Sequence, residues 1–106
     1  MRSWHPIEPQ RLDDDRLKGE HAELHLIAAQ VVNNRDGWRN HPERKRWEDH
    51  LPALAARHDC IVKEMRRRGW GHRSPMAFEG PVVWPETIQP LEDMKALLIE
   101  KQGGLW

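Results

Sequence analysis

Apolar residues return at helical spacing in three stretches of the chain, with polar, Pro- and Gly-rich segments between them. Leu17, Leu24, Ala28 and Val31 share one face, with Ile27 and Val32 beside them. At about 100° per residue that spacing predicts a helix from about Asp13 to Val32. Asp13 to Asp15 suit the positive end of its dipole, and Asn33-Asn34 and Gly37 stop it. Leu54, Ile61, Val62 and Met65 form the stripe of a second helix. It begins near Leu51-Pro52, where proline is welcome in the first turn, and ends in Arg66-Arg67-Arg68-Gly69. A third runs from about Pro90 to Lys101, with Glu92 and Asp93 at its start and Gly103-Gly104 after its end.

The intervening segments have different compositions. Pro6 and Pro9 block a helix over residues 1–10. Residues 33–50 read as a polar, basic loop with short helical turns, and residues 70–86 as a Pro- and Gly-rich wrap over the surface. No repeat and no strand pattern is found. The expected fold is all-α: one compact domain over residues 1–106, about three helices joined by long loops.

Several ionisable residues break the apolar stripes. Glu20 and His21 straddle the direction of Leu17 and Leu24, Glu23 lies at one edge of that stripe and His25 at the other. On the second helix, His58 falls among Leu54, Ile61, Val62 and Met65. Facing stripes would bring Glu20, His21 and His58 together in or beside the core. Burying such groups is costly unless they are paired. The cluster is therefore either a hydrogen-bonded lock on helix register or a functional site with Glu23 at its open rim.

Charge and composition narrow the classes. The 106 residues carry 17 basic and 17 acidic side chains, so net charge argues neither for nor against nucleic acid. Its distribution is uneven: Arg35, Arg39, Arg44, Lys45, Arg46 and Arg66 to Arg68 form basic blocks. The single cysteine, Cys60, excludes an internal disulfide and fits a reducing cytosol. Its apolar neighbours suggest plain packing. No apolar run spans a bilayer and no signal peptide is apparent, so a cytoplasmic protein without membrane contact is expected. His21 and His25, with His58, invite a metal reading, but the H-x-E-x-H order is not a diagnostic ligand spacing. No metal or other cofactor is assigned. Six tryptophans sit near loops or termini, against no tyrosine and one phenylalanine.

Three motifs in register carry a family resemblance: Met1-Arg2-x-Trp4, then Leu17-x-Gly19-Glu20-His21-x-Glu23-Leu24-His25, then Arg57-His58-Asp59 with Glu64-Met65-x-Arg67-Arg68-Gly69-Trp70-x-His72-x-Ser74-Pro75. Over residues 1–75 the chain resembles the pyrimidine dimer DNA glycosylases of the phage endonuclease V type, in their short branch. Residues 76–106 remain an unplaced extension. The resemblance implies an endonuclease V-like helical fold with the N-terminus threaded between helices. It implies a DNA repair enzyme that cuts the glycosyl bond at a cyclobutane pyrimidine dimer or related lesion, then nicks the strand as an apurinic/apyrimidinic lyase.

In that family the nucleophile is the backbone amine of the mature N-terminal residue, which here would be Met1, since bulky Arg2 implies that Met1 is retained. Glu23 matches the catalytic carboxylate and Arg2 the arginine that follows the nucleophile. Glu20, His21, His25 and His58 would support the site. Arg35, Arg39, Arg44, Lys45, Arg46, Arg66 and Arg67 would meet the phosphates of double-stranded DNA holding a damaged or abasic site. The phage-type enzyme has an arginine before its glutamate where this chain has Ala22, so that charge must come from elsewhere, with Arg39 and Arg57 the candidates. The protein is expected to act as a monomer. The alternatives are a non-catalytic DNA-binding protein on the same scaffold, or a structural or metal-binding helical protein.

Overall fold

The computed structural model describes residues 2–72 and 74–106. Four helices form among the described residues: α1 (Asp14–Val32), α2 (Pro42–Trp47), α3 (Leu51–Arg67) and α4 (Leu91–Lys101), with 3₁₀ turns at Pro9–Arg11 and Asp36–Trp38. No strand is found among the described residues. The domain is all-helical, as the periodicity required.

Local chemistry sets the helix ends. The Asp13 carboxylate caps α1 by accepting from the Arg16 N–H at 2.8 Å. Pro52 stands in the first turn of α3, where its missing N–H costs no hydrogen bond. At the other end the chain turns through Gly69, at a φ of 89°. The Trp70 N–H returns to the Met65 carbonyl at 3.0 Å and the Gly69 N–H to that of Arg66 at 2.9 Å. This is a Schellman turn, and it reverses the chain so that the next residues run back along the α1–α3 seam.

α1 and α3 pack against each other as the central layer, with α2 across their flank. Leu17, Leu24 and Ile27 of α1 meet Leu54 and Ile61 of α3 with no exposed surface. Each such side chain contributes roughly 1.5–3 kcal/mol of burial. Trp47, at the end of α2, is fully enclosed, and Met94 and Leu98 bring α4 into the same core. The Gln102 side chain ties α4 to the start of α1: its Oε1 accepts from the Asp13 N–H at 2.7 Å and its Nε2 donates to the Arg11 carbonyl at 3.1 Å. Residues beyond 75 thus close the domain they follow. Cys60, expected to be packed, is exposed: it lies on α3 beside Lys63, Glu64 and Arg67, next to the 3₁₀ turn at Pro9 and Gln10.

Candidate active site and the neighbouring histidine cluster

The site is built on a short segment, residues 3–7, drawn into the core between α1, α2 and α3 and turned so that the Ile7 N–H returns to the Trp4 carbonyl at 2.8 Å. Trp4 and Ile7 are its apolar anchors, 3% and 2% exposed. The backbone polar groups that this turn leaves unmet in the core need other partners. Two buried acid–arginine pairs supply them. Glu20 on α1 accepts from the Ser3 hydroxyl at 2.9 Å and the Trp4 N–H at 3.1 Å. Its two oxygens also take Arg57 of α3 in a fork, at 2.7 and 2.9 Å. Arg57 has a donor left for the Ile7 carbonyl, at 2.8 Å.

Glu43 of α2 accepts from the Ser3 N–H and from Arg46. Arg46 donates in turn to the carbonyls of Ser3 and His5, at 3.4 and 2.7 Å. Of the ionisable residues inside the apolar stripes, Glu20 thus holds the N-terminal segment in place, together with Arg57, Glu43 and Arg46, and not with His21 or His58. Burial, with Arg57 and Arg46 close by, pushes the His5 imidazole down to about 4, so it stays neutral beside them.

The segment emerges at a cleft of about 300 Å³ lined by Arg2, Trp4, Asp15, Arg16, Gly19, Glu20, Glu23 and Lys101. Glu23 is half-buried on its wall. The Arg2 guanidinium lies over the Trp4 ring, 4.9 Å from its centre. Met1 lies outside the described residues. Three carboxylates and three cationic side chains thus line the cleft, with Glu20 already taken up by Arg57, and the N-terminal segment is directed toward them.

The family model for pyrimidine dimer DNA glycosylase matches residues 1–78. The chain belongs to this family. No curated protein and no solved structure matches it. The matched span takes in the N-terminal segment, α1, α2, α3 and the turn after it, that is, every element that builds the Glu23 cleft except Lys101. No helix among the described residues is long and apolar enough to cross a membrane.

The other residues singled out from the sequence of this family member have varied positions. His21, His25 and His58 do not line the Glu23 cleft. Glu23 and His25 leave α1 on opposite flanks, being two residues apart on a helix. The three histidines instead gather with His72, from the segment after the Schellman turn. His25 and His58 share a hydrogen bond between their Nε2 atoms at 3.1 Å, as His21 and His72 do at 2.9 Å. Burial, followed by the neighbouring imidazoles, pushes His21 down to about 4. His25 and His72 are lowered for the same leading reason. His72 was missed in the sequence as a partner because only the turn at Gly69 brings it back.

The basic blocks divide in the same way. Arg44 and Arg46, expected to face DNA, are 4% and 7% exposed. Arg44 donates to the Arg35 carbonyl and Arg46 to the carbonyls already named, because the polar loop and the N-terminal segment need those donors. Arg57 is likewise fully committed to Glu20 and Ile7 and supplies no charge in place of the family arginine at Ala22. Arg35, Arg39, Lys45, Arg66 and Arg67 are exposed. Arg39 pairs with Asp36 at 2.5 Å and Arg67 with Glu64 at 2.6 Å. Arg16 and Lys101, which the sequence reading passed over, stand in the cleft.

Proposed function

We propose that this protein is a DNA glycosylase with apurinic/apyrimidinic lyase activity, acting on cyclobutane pyrimidine dimers or related base lesions in double-stranded DNA. The observation that carries the reading is the anchoring of residues 3–7 by Glu20, Arg57, Glu43 and Arg46, which directs the chain's first residues to the cleft containing Glu23. Family membership points the same way.

The chemistry follows from an amine beside a carboxylate. An α-amine has a pKa of about 7.7–8, so a useful fraction is unprotonated near neutral pH, whereas a lysine at about 10.4 is not. The amine of Met1 attacks C1′ of the lesion nucleotide. The glycosyl bond breaks and its electrons leave with the base; the nitrogen lone pair then forms C=N as the C1′–O4′ bond breaks, and O4′ takes up a proton, leaving a protonated imine of the opened sugar. Glu23 stabilises the cationic centre and moves protons. Removal of a C2′ proton then expels the 3′ phosphate, which nicks the strand. Arg2, Arg16 and Lys101 supply the positive charge that Ala22 does not, and the exposed Arg35, Arg39, Lys45, Arg66 and Arg67 meet flanking phosphates.

The test is incubation with a duplex carrying one site-specific cis-syn cyclobutane dimer, against the same duplex with an abasic site and an undamaged control. Scission at both lesions, leaving β-elimination ends, is the expected result. Tight binding without scission would favour the non-catalytic DNA-binding alternative.

A further inference from the structure

Four imidazoles meet at the α1–α3 seam, on the flank away from Glu23. His21 and His25 stand one turn apart on α1, His58 faces them from α3, and His72 reaches in from the segment after the Gly69 turn. Their ligand nitrogens all lie within 4.8 Å of one another. Each of the four turns Nε2 toward another member of the group. We propose that His21, His25, His58 and His72 form a binding site for one divalent transition-metal ion of the zinc class, which fastens the segment after α3 to both central helices.

The geometry is close to what such an ion needs. Zinc–imidazole bonds of about 2.0–2.1 Å place tetrahedral ligand nitrogens about 3.3–3.4 Å apart. The two direct contacts, 2.9 and 3.1 Å, are a few tenths of an ångström short of that. Rotations of side chains that are only half-buried, as His21, His25 and His72 are, would open these two contacts and close the longer separations, which reach 4.8 Å, toward the required spacing. His58, 1% exposed, is the fixed member.

Outer partners are also in place. The Nδ1 of His58 lies 3.1 Å from an Asp59 carboxylate oxygen, an arrangement that keeps the proton on Nδ1 and the lone pair on Nε2. The Ser74 backbone faces both His25 and His72 and partly offsets the lowering of their imidazoles by burial. In the metal-free arrangement each Nε2–Nε2 contact needs one nitrogen to donate. On binding, those two protons move to Nδ1, so four neutral imidazoles give four lone pairs. Neutral nitrogen donors with no thiolate or bound carboxylate select zinc, nickel, cobalt or copper rather than magnesium or calcium.

The test uses the full chain without a histidine tag, stripped with a chelator, passed through buffer exchange and titrated calorimetrically with Zn2+. One ion per chain and a higher Tm in the presence of Zn2+ are expected. Co2+ in its place should give the intense visible bands of a tetrahedral site. His72→Ala lies outside the helices, and circular dichroism checks that its fold is intact. It should weaken Zn2+ binding by more than the roughly 10–100-fold that an outer-shell partner is worth. His41→Ala, outside the cluster, should leave binding unchanged. Absence of stoichiometric binding, or binding that His72→Ala leaves intact, would overturn the proposal. These readouts do not depend on DNA cleavage.

Discussion

Arg57 grips Glu20 through two near-parallel hydrogen bonds at the centre of the domain, and both side chains spend their remaining capacity on residues 3–7. The pair joins α1 to α3 and threads the N-terminal segment between them. A buried ion pair contributes little net stability over an apolar substitute, but removing one partner strands the other. Its role here is positional: it fixes where the first residues of the chain emerge.

Glu20→Gln therefore keeps the volume and removes the charge. The substitution places an amide against the Arg57 fork and leaves a guanidinium uncompensated in the core. A loss of about 3–5 kcal/mol is expected, a large share of a small domain's stability. Urea denaturation measures it. A change under 1 kcal/mol would mean that the fork is not held tightly in solution.

Acid should destabilise the protein in two stages. The His5 imidazole lies at about 4 in the folded chain against an ordinary 6.5, so the unfolded chain binds the proton first. Stability from its neutral form is complete above 6.5 and lost as pH falls toward 4. The Glu64 carboxyl is held down to about 2 by the Arg67 hydrogen bond and then by Arg68. Its contribution is complete above the ordinary 4.5 and lost between there and 2. His21 adds to the first stage. His5→Phe, which keeps the stack on Trp84, should flatten the first stage, and Glu64→Gln the second. Urea midpoints measured from pH 7 to pH 3 give the profile, and equal slopes in wild type and His5→Phe would contradict the assignment.

The basic residues separate by whether they are already occupied. Lys45→Ala and Arg66→Ala should weaken duplex binding and reduce the log–log salt slope by about one each, with little change in stability. Arg46→Ala should instead destabilise the fold, since Glu43 and the carbonyls of Ser3 and His5 lose their donor. Fluorescence anisotropy across a salt series distinguishes the two classes. An Arg46 variant that stays fully stable yet loses a phosphate contact would reverse this division.

The three longer helices and their boundaries were legible because Leu17, Leu24, Leu54 and Ile61 repeat at helical spacing and Asp13, Pro52 and Gly69 mark the ends, whereas α2, six residues long, is too short to show a periodicity and reads only as a helical turn within a loop. The burial of Glu20 and His58 followed from the same periodicity. Which buried acid met which arginine was not legible, because the short turned segment at residues 3–7 has no periodicity to place it. Arg44 and Arg46 look like any surface cations in sequence. Only the carbonyls that a packed loop leaves unmet turn them inward. The four-histidine cluster needed the Schellman turn, a three-dimensional reversal that a helical wheel does not describe.

Glu23→Gln tests the carboxylate. The side chain keeps its shape, so the cleft and DNA binding should be retained. Scission at a dimer should fall by at least 100-fold, the lower range for a positioned proton-transfer group. Single-turnover cleavage with a parallel binding isotherm makes the measurement. Equal loss of binding and cleavage would mean that Glu23 only holds DNA.

The identity of the nucleophile is the central claim, and borohydride trapping on an abasic duplex tests it most directly. Protein with a free Met1 amine should give one covalent adduct, mapped by peptide mass analysis to the α-amine. The same protein with an uncleaved N-terminal extension should bind the duplex and form no adduct. An extended protein that traps at full rate, or an adduct mapped to Lys18 or Lys63, would contradict it.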